Sequence, residues 1–200
     1  MNLDAKTLKE SLEILGSYLE ERNLPLHLVA IGGGGLLLLE MIDRSTKDID
    51  IIAFQTSEGY VRADALPAEL LKARQMIASE FRLEEDWINS APRSMIQENL
   101  PNQGLPEGFQ DRVIIQKFGA LTLSLASRFD QICFKLHAAV DRSEPRGKHV
   151  LDLESLDPTP EELIRAAQWT RVQDPSEGFL SILIQALKAL GVKDPEVALQ

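Results

Sequence analysis

Cysteine is nearly absent from this chain: Cys133 is the only one in two hundred residues. No intrachain disulfide can form, which fits a reducing compartment. Long hydrophobic runs are missing too. Stretches such as Gly32–Leu39 are far too short to span a bilayer, and the polar, charged start "MNLDAKTLKE" carries no signal-peptide pattern. The expectation is a soluble, cytoplasmic protein with no membrane partner. Positive charge is also scarce. Thirty-one acidic residues face twenty-one basic ones, for a net charge of −10. That balance disfavours broad, non-specific binding to DNA or other nucleic acid, while leaving room for a local basic groove. Internal repeats, low-complexity segments and lipidation motifs are absent as well.

What is present suffices for a real core. Hydrophobic residues make up 44% of the chain, ordinary for a globular protein. Leu8, Leu12, Leu15 and Leu19 recur at helical spacing, with Lys and Glu between them, which predicts an amphipathic helix over Leu3–Arg22. "LHLVAI" (Leu26–Ile31), bounded by Pro25 and Gly32, reads as a buried strand. A helix apolar nearly all round is expected over Gly35–Ile42, and a second strand over Ile49–Phe54. Further on, Pro67–Phe81 reads as helix, and Asn99–Gln110, with two prolines and two glycines, as linker. Arg112–Gln116 and Leu121–Leu125 have strand composition around a turn. Helices are expected over Phe129–Val140, Pro160–Thr170 and Ser176–Leu190. The start "DPTPEE" is a good entry signal for the second of these. The expected fold is thus α/β (α+β): a small mixed sheet flanked by helices over residues 1–127, followed by a helical region over 128–200.

The stretch "IGGGGLLLLEMIDRSTKDIDIIAF" (Ile31–Phe54) holds the chemistry. Unpaired backbone N–H groups where a strand runs into a helix suit a phosphate, and glycine lets a ligand come close. Asp48 and Asp50, two apart on a strand, would emerge on the same face. Two carboxylates beside a phosphate cradle can hold Mg²⁺, which binds through one or two carboxylates plus substrate phosphates. Glycine runs also serve plain packing, and Asp-x-Asp is common in loops; the combination is the more specific signal. Acids inside an apolar strand need compensation. A metal, Lys47, Arg44 or a distant lysine would each supply it.

Gly34-Gly35, twelve intervening residues, then Asp48-Ile49-Asp50 resembles the signature of the nucleotidyltransferase (DNA polymerase β-like) superfamily. More closely, Arg44, Thr46, Asp48 and Asp50 resemble the Arg-x-Thr-x-Asp-hydrophobic-Asp string of minimal bacterial nucleotidyltransferases related to abortive-infection toxins. "KLHAAVDR" (Lys135–Arg142) and "KHVLDLESL" (Lys148–Leu156) resemble that group's later strings, although His149 stands where relatives carry Asp. The resemblance implies Mg²⁺-dependent transfer of a nucleotide from an NTP to a hydroxyl on RNA, a protein or a small molecule. Toxin-like relatives imply an antitoxin-like protein partner. Gly34, Gly35, Arg44, Thr46, Lys135 and Arg142 would then bind nucleotide. Asp48 and Asp50 would hold the metal and, with Lys135, do the catalysis. A third carboxylate is expected on a later strand. Glu84, Glu85, Asp86 and Asp111 are the candidates, and the position after Trp87-Ile88 is Asn89 rather than an acid. The alternative is a catalytically degenerate fold that binds a nucleotide or a protein.

Other residues have ordinary readings. Lys135 at an apolar helix edge can snorkel to solvent. Lys148 and Asp152, four apart, can pair with each other. Cys133, His27 and the two tryptophans read as packing residues.

Overall fold

The structure is a computed structural model and describes residues 2–97, 103–141 and 147–199. The chain divides into two compact units, Met1–Ala126 and Ser127–Gln200.

The first unit is built on a mixed sheet. Its strands are β1 (Leu26–Ile31), β2 (Ile49–Thr56), β3 (Gly59–Arg62), β4 (Ile88–Asn89), β5 (Ile114–Phe118) and β6 (Leu121–Leu125). The order is β3-β2-β1-β6-β5, with β4 also alongside β2. β1 is central, antiparallel to β2 and parallel to β6. Leu28, Val29 and Ala30 on β1 are fully buried, as are Ile49, Ile51, Ile52 and Ala53 on β2. A register shift lies between Val29 and Ala30, opposite Ile52. Such a bulge re-aims neighbouring side chains, and this one falls two residues from Asp50.

Helix α1 (Ala5–Glu21) buries Leu8, Leu12, Leu15 and Leu19, as the leucine spacing predicts. The Asp4 side chain starts it by accepting a hydrogen bond from the Thr7 N–H at 2.7 Å. Helix α2 spans Gly32–Leu38, and α3 spans Ala68–Phe81. The expectation for α2 needs correcting: it begins at Gly32, not Gly35, so the glycines form its first turn rather than a loop before it. Glycine is a poor helix former, and burial of all four supplies what propensity does not. Part of the expected linker also proves ordered. Phe109, which opens the short helix α4 (Phe109–Arg112), is buried edge-on against Tyr60 with ring centroids 5.8 Å apart. Residues 99–102 lie outside the described residues.

The second unit is helical: α5 (Arg128–Asp141), α6 (Lys148–Leu156), α7 (Pro160–Gln173), α8 (Glu177–Ala189) and α9 (Pro195–Ala198). Helix α7 starts as its sequence signal predicts. Thr159 and Glu162 form a reciprocal capping box with Pro160 at the first helical position. Arg128 clamps this region: it donates to both Glu162 carboxylate oxygens, at 2.6 and 3.2 Å, and to the carbonyls of Leu156 and Asp157 that end α6. Among the described residues, no helix is long and apolar enough to cross a membrane.

Candidate functional site

The glycine helix and the acidic strand meet because β1 and β2 are paired neighbours. Ile31, the last residue of β1, is the register partner of Asp50. The next residue, Gly32, has φ +77°, in the left-handed region that a side chain disfavours. A Cβ built there would lie 2.5 Å from Asp50 Oδ2. The carboxylate therefore fills the space a side chain at position 32 would need.

The next two glycines continue the fit. A Cβ on Gly33 would lie 2.8 Å from Thr46 Oγ1 and 3.6 Å from Arg44 Nη2. One on Gly34 would lie 2.8 Å from Ile49 Cβ and 2.9 Å from the Asp48 carbonyl oxygen. Three successive glycines thus seat the start of α2 directly on the segment 44–50. The sequence pattern points to Gly34 and Gly35. The geometry adds Gly32 and Gly33, and puts Gly32 nearest an acid. The usable signal was the strand end at Ile31, since a glycine just past a paired strand faces that strand's neighbour.

The 44–48 loop is held from its other side by the N-terminal segment. Leu3 and Thr46 exchange two backbone hydrogen bonds, at 2.7 and 2.9 Å, and Leu3 is fully buried. Thr46 is buried and its hydroxyl faces the Asp48 carbonyl at 3.4 Å. Arg44 is half-buried and donates to the Ser45 carbonyl at 3.1 Å. Asp48, one residue ahead of β2, and Asp50, its second residue, are both half-buried.

On the other flank of β2, β4 runs parallel, and Asn89 is the register partner of Asp50. Glu84, Glu85, Asp86 and Asp111 are all exposed. Among the described residues, no group of three or more His, Cys, Asp or Glu is placed to hold a metal ion. The donor set fits an ion bound through one or two carboxylates plus substrate oxygens, the habit of Mg²⁺.

Lys135 belongs to the second unit. Its ammonium lies 2.6 Å from Asp152 Oδ2, with the two side chains 5% and 1% exposed. This corrects two expectations. Lys135 does not snorkel to solvent, and the partner of Asp152 is Lys135 on α5, not Lys148, which is exposed. Arg142 lies outside the described residues. His149 is half-buried on α6. Trp87 is fully buried and its indole N–H donates to the Arg74 carbonyl at 3.1 Å, a packing role, and Cys133 is buried. His27 lies 2.8 Å from the Ser124 hydroxyl. Burial, helped by the charge of Lys117, lowers its pKa below the ordinary histidine value.

These features define an α/β protein whose acids and glycine turn share one corner of a mixed sheet. Residues 6–144 match the family described as "Nucleotidyltransferase of unknown function (DUF6036)". That span covers more than half of the chain, and the protein belongs to this nucleotidyltransferase family. No curated protein and no solved structure matches it.

Proposed function

We propose that this protein transfers an NMP from an NTP to an acceptor hydroxyl in a Mg²⁺-dependent reaction. The observation that carries the reading is the contact of Asp50 with the glycine turn: its carboxylate occupies the side-chain position of Gly32, in a chain of a nucleotidyltransferase family. The glycine turn, Gly34 and Gly35 included, would lie against the triphosphate, with Arg44 and Thr46 beside it. Asp48 and Asp50 would hold the cation and help orient the acceptor. When bound, Mg²⁺ supplies positive charge against the polyphosphate. In the reaction the acceptor oxygen bonds to the α-phosphorus, the bond to the bridging oxygen breaks, pyrophosphate leaves, and the hydroxyl proton passes to a base. Arg142 is the candidate for further phosphate contact. Lys135, whose ammonium pairs with Asp152, is the other candidate that the resemblance supplies. The acceptor is RNA, a protein or a small molecule, and an antitoxin-like partner goes with the toxin-like reading. The acidic net charge favours a protein or a small molecule over a large RNA.

A second reading, nucleotide binding without transfer, draws on Asn89, which brings an amide rather than an acid beside Asp50. One pair of measurements separates them. Labelled NMP should enter an acceptor in cell extract with the wild type, and incorporation should fall by roughly 10²–10³-fold in Asp48→Ala and Asp50→Ala, the scale of losing one transition-state charge contact. A melting point raised by Mg-NTP without incorporation supports the binding module. Equal labelling by the wild type and both variants removes the enzymatic reading.

A further inference from the structure

The candidate site is lopsided. Asp50 has the glycine turn on one side and β4 on the other, with Asn89 in register across a parallel pair. Aligned residues on neighbouring strands share a face of the sheet at a strand spacing of about 4.8 Å. A ligand reaching Asp50 from that side therefore meets the Asn89 carboxamide.

The chemistry of that amide is fixed by its neighbour. Asn89 Oδ1 accepts a hydrogen bond from the Ala91 N–H at 2.8 Å. A backbone N–H requires an acceptor, so the engaged end is the oxygen; the amide is neutral, and an oxygen already accepting this hydrogen bond offers a cation far less than a carboxylate would. The nearby acids Glu84, Glu85 and Asp86 are exposed. Among the described residues, no His, Cys, Asp or Glu side chain joins Asp48 and Asp50 to make a group of three that could hold a metal ion. Two divalent ions held about 4 Å apart repel strongly, and the clamp depends on anionic oxygens around and between them.

We infer that this site holds a single divalent cation and that Asn89 sets that number, by placing a neutral amide where a second ion would need an anionic carboxylate. The inference rests on the proposed function and deepens it. The NH₂ suits an oxygen of the phosphate or of the acceptor instead.

The test counts ions rather than turnover. Equilibrium dialysis of the full chain against Mn²⁺ is run with inorganic triphosphate at equal concentration on both sides, so that no choice of base enters. One Mn²⁺ per wild-type chain is expected, and two per chain for Asn89→Asp. The aspartate can still accept from Ala91, so the local turn survives, and matching thermal melts check this. Two ions on the wild type overturn the inference and leave the proposed function standing. A count that stays at one in a folded Asn89→Asp protein overturns it as well. No ion on the wild type, with or without triphosphate, overturns the proposed function and this inference together. Should Asn89→Asp fail to fold, Asn89→Glu takes its place, with two ions expected and one ion overturning the inference.

Discussion

The Lys135–Asp152 pair makes a sharp test of what a buried lysine is for. Replacing Lys135 by Met keeps its length and removes its charge, which leaves the Asp152 carboxylate, 1% exposed, without the ammonium at 2.6 Å. Removing one member of a buried pair costs about 3–5 kcal/mol, because the other charge stays desolvated. For a unit of this size roughly 4–8 °C accompanies each kcal/mol, so the helical unit should melt at least ~12 °C lower. The double variant Lys135→Met/Asp152→Leu removes both charges and fills the space with apolar atoms. It should regain most of the loss, since well-packed apolar replacements of buried pairs are often neutral or better. Thermal and urea unfolding by circular dichroism for the wild type, both single variants and the double variant close a cycle that isolates the pair. NTP affinity on the same four proteins gives the other half of the answer. A Lys135→Met protein that melts within about 0.5 kcal/mol of the wild type but loses tenfold in NTP affinity would refute the structural assignment and return the ammonium to phosphate.

Further outcomes follow from single positions. Gly34→Ala forces a methyl to within 2.8 Å of Ile49 Cβ and 2.9 Å of the Asp48 carbonyl. It should cost about 1–3 kcal/mol, whereas Gly178→Ala, with nothing within 4 Å, should be neutral or gain up to about 0.5–1 kcal/mol; equal shifts in urea midpoint would show that close approach is not what the glycine run provides. Leu3→Ala should destabilise the first unit by about 2–5 kcal/mol and weaken NTP binding through the loop that Thr46 anchors, and an unchanged melt would detach the N-terminal segment from that loop. His137 sits among the rings of Trp169 and Phe179, at 5.9 and 5.8 Å. Burial lowers its pKa below the ordinary 6.5, partly opposed by Asp141 and Asp174. The unfolded chain therefore takes up the proton first, so this contribution is whole above about pH 6.5 and is lost as pH falls through the depressed native value. Melts from pH 7.5 to 5 should decline more steeply for the wild type than for His137→Gln, and parallel slopes would refute the assignment.

How much of this could be read from the sequence depended on how local each cause was. β1 was legible to the residue, because Pro25 and Gly32 bound an apolar run. Helix α7 was legible at its start, because a proline and glutamates in the first turn act locally, and the structure adds a capping box there. β3 and β4 were not. Gly59–Arg62 and Ile88–Asn89 are too short to display a period, and only pairing with β2 makes them strands. Lys148 and Asp152 have helical spacing, yet Asp152 faces α5, and a packing choice between helices leaves no trace in spacing along one of them.

The same division runs through the candidate site. The residue types were visible in sequence: glycines, then Asp48 and Asp50. Their arrangement was not, because it is set by a strand register. Pairing Ile31 with Asp50 places Gly32 beside the acid, and pairing Asp50 with Asn89 places an amide on its other flank. A slip of one residue in either ladder would turn those side chains to the opposite face of the sheet. The apolar residues around Asp50, namely Ile49, Ile51 and Ile52, are fully buried and hold the register against such a slip. Core packing in β2 therefore does two jobs at once: the isoleucines that stabilise the sheet also fix which groups surround Asp50, whose carboxylate meets the glycine turn. Substitutions that shorten Ile49 or Ile51 should accordingly lower the Mn²⁺ uptake proposed for this site, read by the same dialysis, along with the melting point, even though neither side chain carries a ligand atom.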